Sequence, residues 1–134
     1  MAAALRTIVR LDDLVQRPIH DGMGHVEGRY WEIFTKPAGG TEALRLLVQE
    51  YPPGGYTSGH PAHADFEQTY YIMSGVMTLL LDEKQHVVPA GTFVFIPRGV
   101  KHEHRNDSNE PMVFMTINVP VRDGGVPPLP GGSA

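Results

Sequence analysis

The chain has 134 residues, 41% of them hydrophobic and none of them cysteine, and carries a formal net charge of −4 at pH 7. That length fits one domain with one core, and the lack of cysteine excludes disulfides, thiolate metal ligands and a cysteine nucleophile. An acidic balance without a Lys/Arg cluster argues against a nucleic-acid partner. The 15 Gly and 12 Pro fit many turns between short strands better than helices, which exclude both residues. Apolar stretches such as Val76 to Leu81 are far too short to span a bilayer, and the N-terminus lacks the apolar core of a secretion signal. A cytoplasmic domain without a membrane partner is expected.

In chain order, residues 1–29 form an N-terminal arm in which Ile8 to Leu11 reads as a strand and Leu11 to Val15 as one helical turn. His20 and His25 lie in a Gly-rich connection and read as solvated loop histidines. Tyr30 to Phe34, rich in aromatic and β-branched residues, predicts a strand, as does Leu44 to Tyr51 beyond a Lys36–Thr41 turn. Pro52-Pro53-Gly54-Gly55 breaks the chain. Val76 to Leu81 is an apolar strand, Asp82 to Gln85 a polar hairpin turn, and His86 to Val88 a short return strand. Met112 to Val119 alternates as a last strand. Residues 120–134, with four Pro and four Gly, read as a poorly ordered tail.

The stretch from Gly91 to Asn106 carries the strongest pattern. Phe93 to Ile96 reads as a buried strand with Phe93 and Phe95 in the core, and Pro97 ends it because proline cannot donate to a sheet ladder. Pro97-Arg98-Gly99 is a bend that delivers His102 to the start of another strand. His102 and His104, two apart, share a face of that strand. Gly91, Pro97, Gly99, His102 and Asn106 fill every fixed position of the second signature of the cupin superfamily, which the segment from Leu44 to Val119 resembles. The first signature runs Gly, five residues, His, one, His, three or four, Glu, six, Gly. Counted back from Gly75, it places Gln68 in the carboxylate slot and His63 in the second histidine slot. Pro61 falls in the first histidine slot, with His60 beside it. Residues three apart on a regular strand face opposite sides, so His60 joins the site only through an irregularity, which Pro61 favours. Glu67 is the competing oxygen donor, although the spacing to Gly75 favours Gln68.

The resemblance implies an all-β fold, one small cupin β-barrel (double-stranded β-helix or jelly roll) over residues 30–119. It also implies one divalent transition metal, Fe, Ni, Zn, Mn or Cu, held by His63, Gln68 and His102, with His60 as a fourth ligand and Glu67 as an alternative. His104 and Tyr70, which share faces with His102 and Gln68, are the candidate catalytic groups. Three neutral histidines and a neutral Gln leave the metal's charge uncompensated, which favours an anionic small-molecule substrate. A metal-dependent enzyme on a small oxygenated acid or aromatic is expected, dioxygenase-like, or else an isomerase, lyase or decarboxylase. The alternative is a metal-free cupin that binds a sugar or metabolite without catalysis. Apolar residues along both faces of Val76–Leu81 predict a homodimer.

Overall fold

A computed structural model describes residues 6–20 and 22–121. Its strands are β1 Arg17–Pro18, β2 His25–Val26, β3 Arg29–Phe34, β4 Arg45–Tyr51, β5 Tyr56–Thr57 and β6 Phe66–Ser74. They continue with β7 Val76–Leu81, β8 Lys84–Pro89, β9 Phe93–Ile96, β10 His102–Arg105 and β11 Met112–Pro120. The expected strand at Ile8 to Leu11 is not formed, and the helical turn expected over Leu11 to Val15 is present as a short 3-10 turn, Leu11–Asp13. No helix among the described residues is long and apolar enough to cross a membrane. The tail expected beyond Pro120 lies almost wholly outside the described residues.

The strands form two antiparallel sheets, in the orders β1-β3-β4-β11-β6-β9 and β2-β5-β10-β7-β8, which pack face to face as a jelly-roll barrel. The hairpin between β7 and β8 is tighter than the sequence suggests. Only Asp82 and Glu83 lie outside the ladder, both at positive φ, as a two-residue turn that matches strand twist requires. The arm is partly woven into the barrel, because β1 pairs with β3 and β2 pairs with β5.

Alternation decides what faces inward, and the inner face changes character along each strand. On β6 it runs from Ile72 through Tyr70 to Gln68, and on β11 from Met112 and Phe114 to Thr116 and Asn118. Tyr51, Ile72, Met77, Leu79, Ile96, Met112 and Phe114 form a closed apolar floor. Each such side chain contributes about 1.5–3 kcal/mol on burial. The polar ends of the same strands define an open mouth. β9 corrects the expected core: Val94 and Ile96 point in, whereas Phe93 and Phe95 are 72% and 54% exposed on the outer face. All four residues are apolar, so period two identifies a strand without saying which face is buried.

Asn106, the last signature residue, is structural. Buried at 1% exposure, it donates through Nδ2 to the carbonyls of Tyr51 (3.0 Å) and Glu110 (2.7 Å), while Oδ1 accepts from Ser108 N–H at 3.0 Å. Its backbone pairs with Gly54 and Gly55, which fixes the turn after β4.

Candidate metal centre

His60 and His63 lie in the irregular connection 58–65 between β5 and β6, not on a strand. Gly59, at φ +67°, turns the chain and Pro61 keeps it out of the ladder. The connection is pinned from outside. Gly99 N–H donates to the His63 carbonyl at 2.6 Å, and Val121 N–H to that of Asp65 at 3.0 Å. The Pro97–Gly99 bend of one signature therefore holds the histidine loop of the other. Strand alternation does not apply to such a segment, so His60 can turn inward although it stands outside the family's spacing.

The three imidazoles of His60, His63 and His102 form a nearly equilateral triangle, each pair of ring centroids 5.0 Å apart. One ring nitrogen from each lies within 4.8 Å of the others. His102 Nδ1 is 3.0 Å from the Val100 carbonyl and His60 Nδ1 is 3.0 Å from that of Pro61. A carbonyl can only accept, so each Nδ1 carries the proton and each Nε2 keeps its lone pair, as a metal-ligating histidine requires. Burial first, then the neighbouring His102 and His60 and after them Arg45, push His63 down to about 4, while the Gln68 side chain acts in the opposite direction. Burial also lowers His102. Both of these rings, His63 and His102, are neutral at pH 7.

The residues fit a divalent metal. The Nε2 atoms of His63 and His102 and Oε1 of Gln68 are buried without any hydrogen-bond partner. Three electron pairs with no donor to meet them, beside a third imidazole, describe a cation's ligand set. Nitrogen with an amide oxygen suits Zn, Fe, Ni or Cu. Glu67, the alternative oxygen donor, is exposed on the outer face opposite Val119 and does not join this group.

The two candidate catalytic residues lie beside the triad. His104 is 3% exposed, both its ring nitrogens lack partners, and burial holds its pKa well below the usual histidine value. Its ring meets Tyr51 at 4.7 Å and Phe114 at 5.0 Å, placing it nearer the floor than the metal ligands. Tyr70 is fully enclosed, and burial raises its hydroxyl pKa well above the usual value, so it is a neutral phenol.

A cavity of about 340 Å³, at the small end of ligand pockets, is lined by His60 and His63 of the triad together with Gln68, Tyr70 and His104. Arg45 is the one fixed charge on its wall among the described residues, and no carboxylate lines it. His25, expected to be a solvated loop residue, lines the cavity instead. Its Nδ1 makes a short hydrogen bond to the Tyr51 hydroxyl, and its ring packs edge-on against His60 with centroids 5.1 Å apart. His20 lies on the same wall. Nothing local marks His25, because the β2–β5 pairing that brings it there joins residues far apart in the chain.

The family model for the cupin domain matches residues 47–118, more than half of the chain, and the chain belongs to the cupin family. Comparison with curated proteins gives no match. Among solved structures, the polyketide cyclase RemF from Streptomyces resistomycificus is similar with a TM-score of 0.75 and 24% identity, over 87% of this chain and 80% of that one. A predicted oxalate decarboxylase from Thermotoga maritima superposes with a TM-score of 0.77 and 22% identity, over 86% of this chain and 100% of that one. A cupin-superfamily sugar phosphate isomerase from Silicibacter pomeroyi gives a TM-score of 0.70 and 18% identity, over 84% of this chain and 75% of that one.

Proposed function

We propose that this chain is a metal-dependent enzyme acting on a small oxygenated organic anion. The convergence of one nitrogen each from His60, His63 and His102 within 4.8 Å of one another carries the reading. A divalent metal held there, with the Gln68 oxygen as a fourth donor, would supply Lewis acidity or, if redox-active, dioxygen chemistry. Arg45 pairs with the substrate's carboxylate, and among the described residues its charge is the only one on the wall to offset an anion. Leu47, Phe66 and Met23 line the same cavity and exclude water from the bound substrate. The neutral His104 offers one N–H and one lone pair to a substrate oxygen. Of the imidazoles outside the triad on the cavity wall, His25 and His104 support isomerase, lyase or decarboxylase chemistry, in which a proton is moved. The names of the cyclase, decarboxylase and isomerase neighbours agree with this class. Dioxygenase-like chemistry is the second reading, favoured by a donor set that suits Fe, Ni and Cu.

Elemental analysis of the chain purified without added metal or chelator, followed by an NMR turnover screen of 2-oxo acids, 2-hydroxy acids and catechols, tests the proposal. Zinc with anaerobic turnover supports the non-redox class. Iron, copper, manganese or nickel with oxygen consumption supports the second reading. A chain that takes up none of these metals refutes both, and a metal-free cupin that binds metabolites is then the better description. A second copy of the chain is the partner that the outer face of β6 and β9 supports, where Met73, Phe93 and Phe95 are exposed together.

A further inference from the structure

We propose that Asn118 is a positioning residue for the candidate metal centre: its side-chain oxygen accepts a hydrogen bond from the Gln68 amide nitrogen, which leaves the Gln68 oxygen turned toward the three imidazoles. The inference rests on the metal-dependent reading above. Asn118 on β11 is the direct cross-strand partner of Gln68 on β6, and on its other side of Arg45 on β4. All three lie on the inner face of the six-stranded sheet, as a row across the barrel mouth. Asn118 and Gln68 are 5% and 6% exposed. Gln68 and Arg45 line the cavity, whereas Asn118, between them in the row, does not.

The side-chain oxygens of Gln68 and Asn118 are both buried without a donor. Two acceptors cannot satisfy each other, yet neighbours in a ladder stand about 4.5–5.5 Å apart at Cβ, within reach of one hydrogen bond between amides. The terminal amide torsions are broad and two-fold, so turning them needs no movement of the backbone. Once the Gln68 nitrogen faces Asn118, one contact satisfies the Asn118 oxygen and frees the Gln68 oxygen for a cation. One arrangement thus accounts for both unpaired atoms. A neutral Gln needs this help more than a carboxylate would. Either oxygen of a carboxylate can bind metal, but an amide must be held the right way round.

The test is a zinc titration of the metal-free full chain against a competing chelator, for the parent and for N118L, N118S, N118D, Q68A and Q68A/N118L. Cobalt spectra and melting curves are recorded alongside. N118L and N118S should each weaken zinc binding by about ten- to a hundredfold. N118D keeps an acceptor and should retain zinc binding. N118L should add no loss in the Q68A background. N118L or N118S at parental affinity, or a full further loss in Q68A/N118L, overturns the positioning role alone. If N118L does not fold, N118S against N118D decides. A parent that binds neither zinc nor cobalt overturns the metal-dependent reading, and this inference with it.

Discussion

Replacing His102 with Leu should move stability in opposite directions with and without metal. His102 is 2% exposed, its Nδ1 donates to Val100, and its Nε2 is buried with no partner. Leucine is of similar volume. Losing the Val100 hydrogen bond costs about 0.5–1.5 kcal/mol, whereas removing an unsatisfied buried nitrogen recovers about 1–3 kcal/mol. The metal-free variant should therefore fall between about 0.5 kcal/mol less stable and about 2.5 kcal/mol more stable than the parent, roughly −2 to +10 °C in melting temperature. With metal at a hundred times its dissociation constant, the parent gains about 2.7 kcal/mol, and the variant, without one of three imidazoles, should gain almost none. Differential scanning fluorimetry of chelator-stripped protein, with and without zinc, reads both effects. A variant that keeps the full zinc-induced rise would show that His102 is not a ligand. A metal-free variant that melts far below the parent would show that the unpaired nitrogen imposes no cost.

Acid should weaken the metal-free protein. The folded state holds His63, lowered to about 4, together with His102 and His104 neutral, while the unfolded chain protonates histidines near 6.5. Below that pH the unfolded state binds more protons, so stability should be flat above about pH 7 and fall from about 6.5 toward 4. A melting temperature that rises over that interval would contradict the assignment. Gly75→Ala should destabilise by at least about 1–2 kcal/mol in urea titrations, because Gly75 sits at φ +78° and an added Cβ would lie 2.3 Å from the Pro111 carbonyl oxygen. A parental midpoint would show that this turn relaxes freely. The double variant Phe93→Glu/Phe95→Glu should turn a dimer into a monomer by light scattering while leaving metal uptake unchanged. A parent that is already monomeric refutes the proposed interface.

The sequence alone determined most of the strands and the face that His102 shares with His104, because these follow from short-range grammar, and the barrel followed from the resemblance that the spaced signature carries. Gly91, Pro97 and Gly99 dictate a strand, a stop and a bend whatever surrounds them, and period two puts His102 and His104 on one face. The same grammar left His60 undecided, since alternation describes strands and residues 58–65 are not one. Only the fold, which pins this connection through the Gly99–His63 hydrogen bond, shows His60 beside His63 and His102. It misjudged Phe93 and Phe95, because a strand apolar on both sides carries no mark of which side meets the core. Counting put Gln68 and Glu67 on opposite faces of β6, yet gave no hint of Asn118, fifty positions away and adjacent only across the β6–β11 ladder. His25 was invisible for the same reason. Local sequence fixes backbone shape through sterics and hydrogen bonding, but which distant side chains share a cavity depends on strand pairing, and that is settled only when the two sheets close.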